Sequence, residues 1–161
     1  MIFGMTTFTF VHVLLSLIGI VSGLVVLFGL IGSRSMSGWT LVFLFTTAAT
    51  SVTGFLFPFH GVTPGIVLGV VSLIALGPAI AGRYAFNLSG AWRTIYVLGS
   101  VVALWLNVVV LVVQSFVKIP ALHALAPTLP PSGPVFMAVQ GVVMVFFLIT
   151  GFLAARRFHP L

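Results

Sequence analysis

Only a few side chains in this sequence are equipped for chemistry. The chain has four histidines, His12, His60, His123 and His159, and no aspartate, glutamate or cysteine. Without carboxylates there is no Asp or Glu general acid or base, no carboxylate-held Mg²⁺ or Ca²⁺ and no carboxylate proton relay. Without thiols there are no disulfides, thiolate nucleophiles, Zn–Cys centres or Cys-held iron–sulfur clusters. What remains is imidazole, which titrates near neutral pH, and, within the apolar spans, the neutral amides of Asn107, Gln114 and Gln140. No catalytic constellation emerges from such a set. The set suits a non-enzymatic accessory or assembly subunit or a small-ligand binder, with a membrane redox component as the alternative.

Three ligand chemistries suit these residues. A quinone headgroup needs hydrogen-bond donors to its carbonyls in an apolar crevice. His12, Gln114 and Gln140 would supply the donors, and Phe55, Phe57 and Phe59 the walls. A b-type haem takes two axial histidines at matched depth; His12 and His60 would be the pair, with His60 in a turn. A Cu or Zn ion would draw imidazoles from His12, His60 and His123, whose spacing carries no metal-site signature. Ion-coupled transport, which relies on intramembrane carboxylates or symmetry-paired broken helices, has little to work with here. The leading reading is structural: the same residues tie helix to helix, and the chain is an accessory or assembly subunit without chemistry of its own.

The elements that must position these residues follow from composition. Of 161 residues, 61% are hydrophobic and 4% charged, with a mean hydropathy of +1.37. A soluble domain carries roughly 25% charged residues, so the chain reads as a single all-α integral membrane domain over residues 1–161. A hydrocarbon core of about 30 Å takes about 20 apolar residues per helix. Five segments qualify, at about 8–32, 39–57, 64–82, 92–117 and 134–155, predicting a bundle of five transmembrane helices. Prolines and polar runs separate them, and Pro64 and Pro134 suit first helical turns. Pro78, inside the third span, should kink it. The first span lacks the basic flank and cleavage site of a signal peptide, and no lipidation motif is visible.

Polar and small residues within the spans share faces. The first span carries His12, Ser16, Gly19 and Gly23, and the second Thr46, Thr50, Thr53 and Gly54. The third has Gly65, Gly69 and Ser72; the fourth Ala103, Asn107, Val110 and Gln114; the fifth Gln140, Met144, Phe147 and Gly151. Such spacing marks one side of a helix. Gly19 and Gly23 form a GxxxG, which lets two backbones approach closely. The expectation is a packing seam on each helix, with Thr, Asn and Gln bonding across it. At 1.5 Å rise per residue, His12, Gln114 and Gln140 reach similar depths in the outer leaflet, with His60 and His123 above them. They are expected to converge on one pocket, whereas His159 lies in the basic tail as a solvated residue.

Orientation follows from the six cations. Arg34, Arg83, Arg93, Arg156 and Arg157 fall on one side of the five-span arrangement and Lys118 on the other. The positive-inside rule then puts the N-terminus outside and the C-terminus inside, with Trp39, Tyr84 and Trp92 as an inner aromatic belt. The pI near 11.8 comes from helix ends rather than a basic stripe, which argues against nucleic acid. Anionic lipid headgroups on the cytoplasmic side are the expected partner, together with a second copy of the chain or a membrane partner subunit.

The segments FVHVLLSLIGIVSGLVVLFGL, GFLFPFHG and GAWRTIYVLGSVVALWLNVVVLVVQ carry a resemblance that extends over the whole chain. It resembles an uncharacterised family of small multi-span proteobacterial inner-membrane proteins. The resemblance implies a bacterial inner membrane and adds no activity, ligand or site residue.

Overall fold

The computed structural model describes residues 1, 3–58 and 61–160, and each regular element in them is helical. The elements are α1 (Thr7–Ile31), α2 (Ser37–Gly54), α3 (Pro64–Ile80), α4 (Ala91–Lys118), α5 (Pro120–His123) and α6 (Pro134–Arg157), with a π-helical turn, Ala81–Ala85, extending α3. The five long helices begin and end within one turn of the expected spans. Four of them, α1, α3 with its π-turn, α4 and α6, are long and apolar enough to cross a membrane. Helix α2 has 18 residues, among them five threonines and two serines, and is the least apolar of the long helices.

Local chemistry explains the ends. The Thr6 hydroxyl caps α1 by accepting from the Thr9 N–H at 3.2 Å. Thr63 does the same for Ile66 at the start of α3, just before Pro64; each satisfies a donor that a helix N-terminus leaves orphaned. Pro134 opens α6 after Gly133, whose φ of 104° favours glycine. Pro78 does not end α3, which runs on to Ile80 and then widens into the π-turn.

Close approaches set the packing. Along α1, His12 meets Thr53, Gly19 meets Thr46 and Thr47, Gly23 meets Phe43 and Gly29 meets Met36. The α2 numbers fall as the α1 numbers rise, so the two helices lie antiparallel over their shared length. Gly99 of α4 sits on the Ala75 carbonyl of α3, where an added Cβ would come within 2.6 Å. Gly151 of α6 faces Val101 of α4 in the same manner, at 2.9 Å. Each contact trades a side chain for backbone proximity, the device that replaces hydrophobic driving force between helices in lipid.

The apolar core is concentrated toward one end. Val26, Leu27, Leu30, Phe43, Leu76, Tyr96, Val97, Leu104, Ala154 and Phe158 belong to one buried cluster. At that end three bonds tie distant segments together. The His159 N–H donates to Ser33 Oγ at 2.9 Å, Arg93 Nη1 to the Phe158 carbonyl at 2.7 Å, and Arg83 Nη2 to Ser37 Oγ at 2.9 Å. The five arginines therefore gather at one end of the bundle, and Lys118 lies at the other.

Candidate functional site

A polar seam runs inside the bundle between α1, α2 and α4. It starts where α1 is loosely covered, since α1 buries nothing before Gly19. There His12 Nδ1 lies 2.8 Å from Thr53 Oγ1. The Thr53 hydroxyl already donates to the Ala49 carbonyl at 2.7 Å, so a neutral imidazole must donate from Nδ1, and its Nε2 lone pair has no partner among the described residues. Phe57 meets the His12 ring edge-on at 5.0 Å, giving this entrance one apolar wall.

Deeper in, the threonines of α2 behave differently from one another. Thr46 and Thr50 donate to the carbonyls of Val42 and Thr46, at 2.7 and 2.8 Å. These bonds stay within the helix, because the i−4 carbonyl lies within reach of a helical hydroxyl. Sequence reading had expected them to bond between helices. Thr47 is the exception: its hydroxyl is buried and makes no hydrogen bond, and the residue is 1% exposed. Asn107 Nδ2 on α4 is likewise buried and unpartnered. A Cβ placed on Gly19 would lie 3.0 Å from Thr47 Oγ1 and 3.2 Å from Asn107 Nδ2, so both groups flank one glycine.

An apolar plug closes the seam below. At Gly23 an added Cβ would fall 2.5 Å from Leu104 Cδ1 and 2.9 Å from the Phe43 ring. Beyond it the seam resumes with the buried Ser100 hydroxyl, unpartnered, and with Thr40 Oγ1 3.3 Å from the Tyr96 hydroxyl. Thr47, Ser100 and the Thr40–Tyr96 pair were not singled out from sequence. The available signal was the α4 spacing 96, 100, 107, which continues the Asn107 face toward the arginine end.

The other expected residues land as follows. Gln140 faces inward from α6; its Nε2 donates to the Val109 carbonyl at 3.3 Å and its Oε1 is buried without a partner. Val109 and Asn107 lie about 3 Å apart in depth by helical rise, so Gln140 and Asn107 sit at nearly one level on different sides of α4. Gln114 is exposed on the outside of the bundle. No hydrogen bond joins His12 to either glutamine among the described residues. His123 ends α5, with Nδ1 buried and unpartnered. His159 is exposed beside the arginines. His60 and Phe59 lie outside the described residues, and with them the turn-histidine part of the haem and metal readings. Among the described residues no three histidines come close enough to hold a metal ion.

Two open cavities, of about 540 and 400 Å³, lie at the arginine end rather than beside His12. No family model, curated protein or solved structure matches this chain. The chemistry available to the seam is hydrogen bonding. Thr47 and Asn107 can donate to an acceptor such as a carbonyl or a water, and His12 Nε2 can accept.

Proposed function

We propose that this chain is a five-span protein of a bacterial inner membrane, with its N-terminus outside and C-terminus inside. It acts as a non-enzymatic accessory or assembly subunit or as a small-ligand binder, and the unpartnered groups of the seam favour a small hydrogen-bonding ligand. Helix α2 supports the fifth span: it lies antiparallel to α1 from Met36 to Thr53, and 18 residues rise about 27 Å. Five arginines at one end support the orientation. The same arginines would face the anionic cytoplasmic leaflet.

The observation that carries the ligand reading is the pair of unpartnered groups at Gly19, Thr47 Oγ1 and Asn107 Nδ2. A buried polar group without a bond costs about 1–3 kcal/mol, and native structures leave few such groups unpaired. A bound molecule with an acceptor would relieve both. The second reading is a redox component that takes a quinone at this seam. It is favoured by His12, which lies beside Phe57 about two turns above Gly19 and whose Nε2 has no hydrogen-bond partner among the described residues. A haem b would show itself by a Soret band.

The test is Thr47→Val and Asn107→Leu, each purified in mild detergent, with solvent extraction and mass spectrometry of bound small molecules. The ligand reading expects a compound retained by the parent protein and lost from both variants. Its identity as a quinone would decide for the redox reading. Equal retention in all three proteins, with both variants as stable as the parent or more so, would reduce the seam to structure.

A further inference from the structure

The chain has five arginines at one end and no carboxylate side chain anywhere to pair with them. Arg83 spends one donor on the Ser37 hydroxyl and Arg93 one on the Phe158 carbonyl; both acceptors are neutral, so among the described residues no anion neutralises either charge. Each of these arginines lines its own cavity. Arg83 lines the larger, with Ser37, Leu41 and Tyr84, and Arg93 the smaller, with Ser35 and His159. Asn87 and Leu88 line both, forming the partition between them.

That partition is held in place. Asn87 and Leu88 have φ of 47° and 58°, a left-handed pair that non-glycine residues adopt at a cost. The Leu88 N–H donates to the Gly82 carbonyl at 2.8 Å, the Leu88 side chain packs against the core, and Phe86 stacks on Trp92 at 4.0 Å. Gly90 then opens α4 without a side-chain cap, so the positive end of a 28-residue helix adds to the field of Arg93. The larger cavity also opens onto an apolar ridge. Leu41 in its wall and Phe45 one turn along α2 are 58% and 68% exposed, which suits a hydrocarbon chain and has no use for a free phosphate ion.

We propose that the paired cavities bind the headgroup of an anionic phospholipid with two phosphates, one facing Arg83 and one facing Arg93, with acyl chains along Leu41 and Phe45. Guanidinium suits this task because its fork bonds two phosphate oxygens at once. The inference rests on the reading that the arginine end lies at headgroup level.

The protein is reconstituted in nanodiscs of phosphatidylcholine alone, or doped with phosphatidylglycerol or with cardiolipin, and the lipids retained after detergent extraction are counted by native mass spectrometry. One cardiolipin per protein is expected, in preference to phosphatidylglycerol. Arg83→Gln with Arg93→Gln should weaken retention at least about tenfold, because each substitution removes a bidentate charge-assisted contact to one phosphate. Arg156→Gln with Arg157→Gln, which leaves the cavities intact, should change it less than about twofold. Should the glutamine pair fail to fold, Arg83→Lys with Arg93→Lys keeps the charge, loses the fork and should still weaken retention. Equal loss in the two glutamine pairs, unweakened retention in the lysine pair, or displacement of the lipid by inorganic phosphate would overturn the proposal. A protein that enters the nanodisc and retains no cardiolipin sinks this site alone; one that never enters sinks the membrane reading. Reversed orientation would not affect the count.

Discussion

Replacing Gly23 by alanine tests the packing logic of the bundle most directly. The new Cβ would stand 2.5 Å from Leu104 Cδ1 and 2.9 Å from two Phe43 ring carbons, where ordinary carbon contacts are about 3.5–4.0 Å. Leu104 and Phe43 are each 1% exposed, so neither can withdraw without displacing a further neighbour. Overpacking of this kind costs about 1–3 kcal/mol. Alanine also gains up to about 1 kcal/mol over glycine in helix propensity, which would mask part of the loss. Gly141→Ala removes that ambiguity. Gly141 is helical and exposed on α6, with nothing within 4 Å of its would-be Cβ, so it collects the propensity gain without the clash. The gap between the two variants is then the clash itself. At about 2–4 °C per kcal/mol for a chain of this size, Gly23→Ala should melt about 2–12 °C below Gly141→Ala in the same detergent. If the two melt together, or Gly23→Ala melts higher, α1 does not pack against α2 and α4 through this glycine.

Two further outcomes follow from the same contacts. His12→Ala should cost no more than about 1 kcal/mol, because Thr53 keeps its bond to the Ala49 carbonyl; a melting loss well beyond about 4 °C would mean that His12 holds more than Thr53. The chain has no cysteine, so single cysteines report sidedness cleanly. Ser35→Cys should resist a membrane-impermeant maleimide in intact spheroplasts and Thr128→Cys should react, and the reverse pattern would refute the orientation.

The legible part of the site was the part that depends on one helix at a time. Gly19 and Gly23 were marked by their spacing, and both are buried at a helix crossing. Asn107 and Gln140 stand out in sequence as large amides at one-face spacing within apolar spans, and both carry buried polar atoms. Gln114 had the same credentials on the same face of α4 as Asn107, yet it is exposed. Two turns separate the residues, and α1 and α2 cover the face at Asn107 and Gly19 but leave it open nearer Lys118. Periodicity says which side of a helix a residue occupies and is silent about how far the neighbours reach.

The sequence alone pointed to helices for an apolar medium, because 4% charge and no acidic residue leave little with which to make a water-facing surface and the apolar runs have helix-spanning length. It also determined which chemistries are absent, since a missing functional group needs no fold to exclude it. Tertiary structure alone decided where hydrogen-bonding capacity is left over. Thr46 and Thr47 are neighbours of one type on one helix, and only the second is unpartnered. Both hydroxyls lie against Gly19 of α1, yet Thr46 also bonds its own i−4 carbonyl and Thr47 does not, a difference that side-chain rotation in the packed bundle sets and spacing does not. The arginine cavities make the same point at longer range: Ser37, Arg83, Arg93 and Phe158 are dispersed along the chain, and the alternating direction of successive long helices brings them to one end.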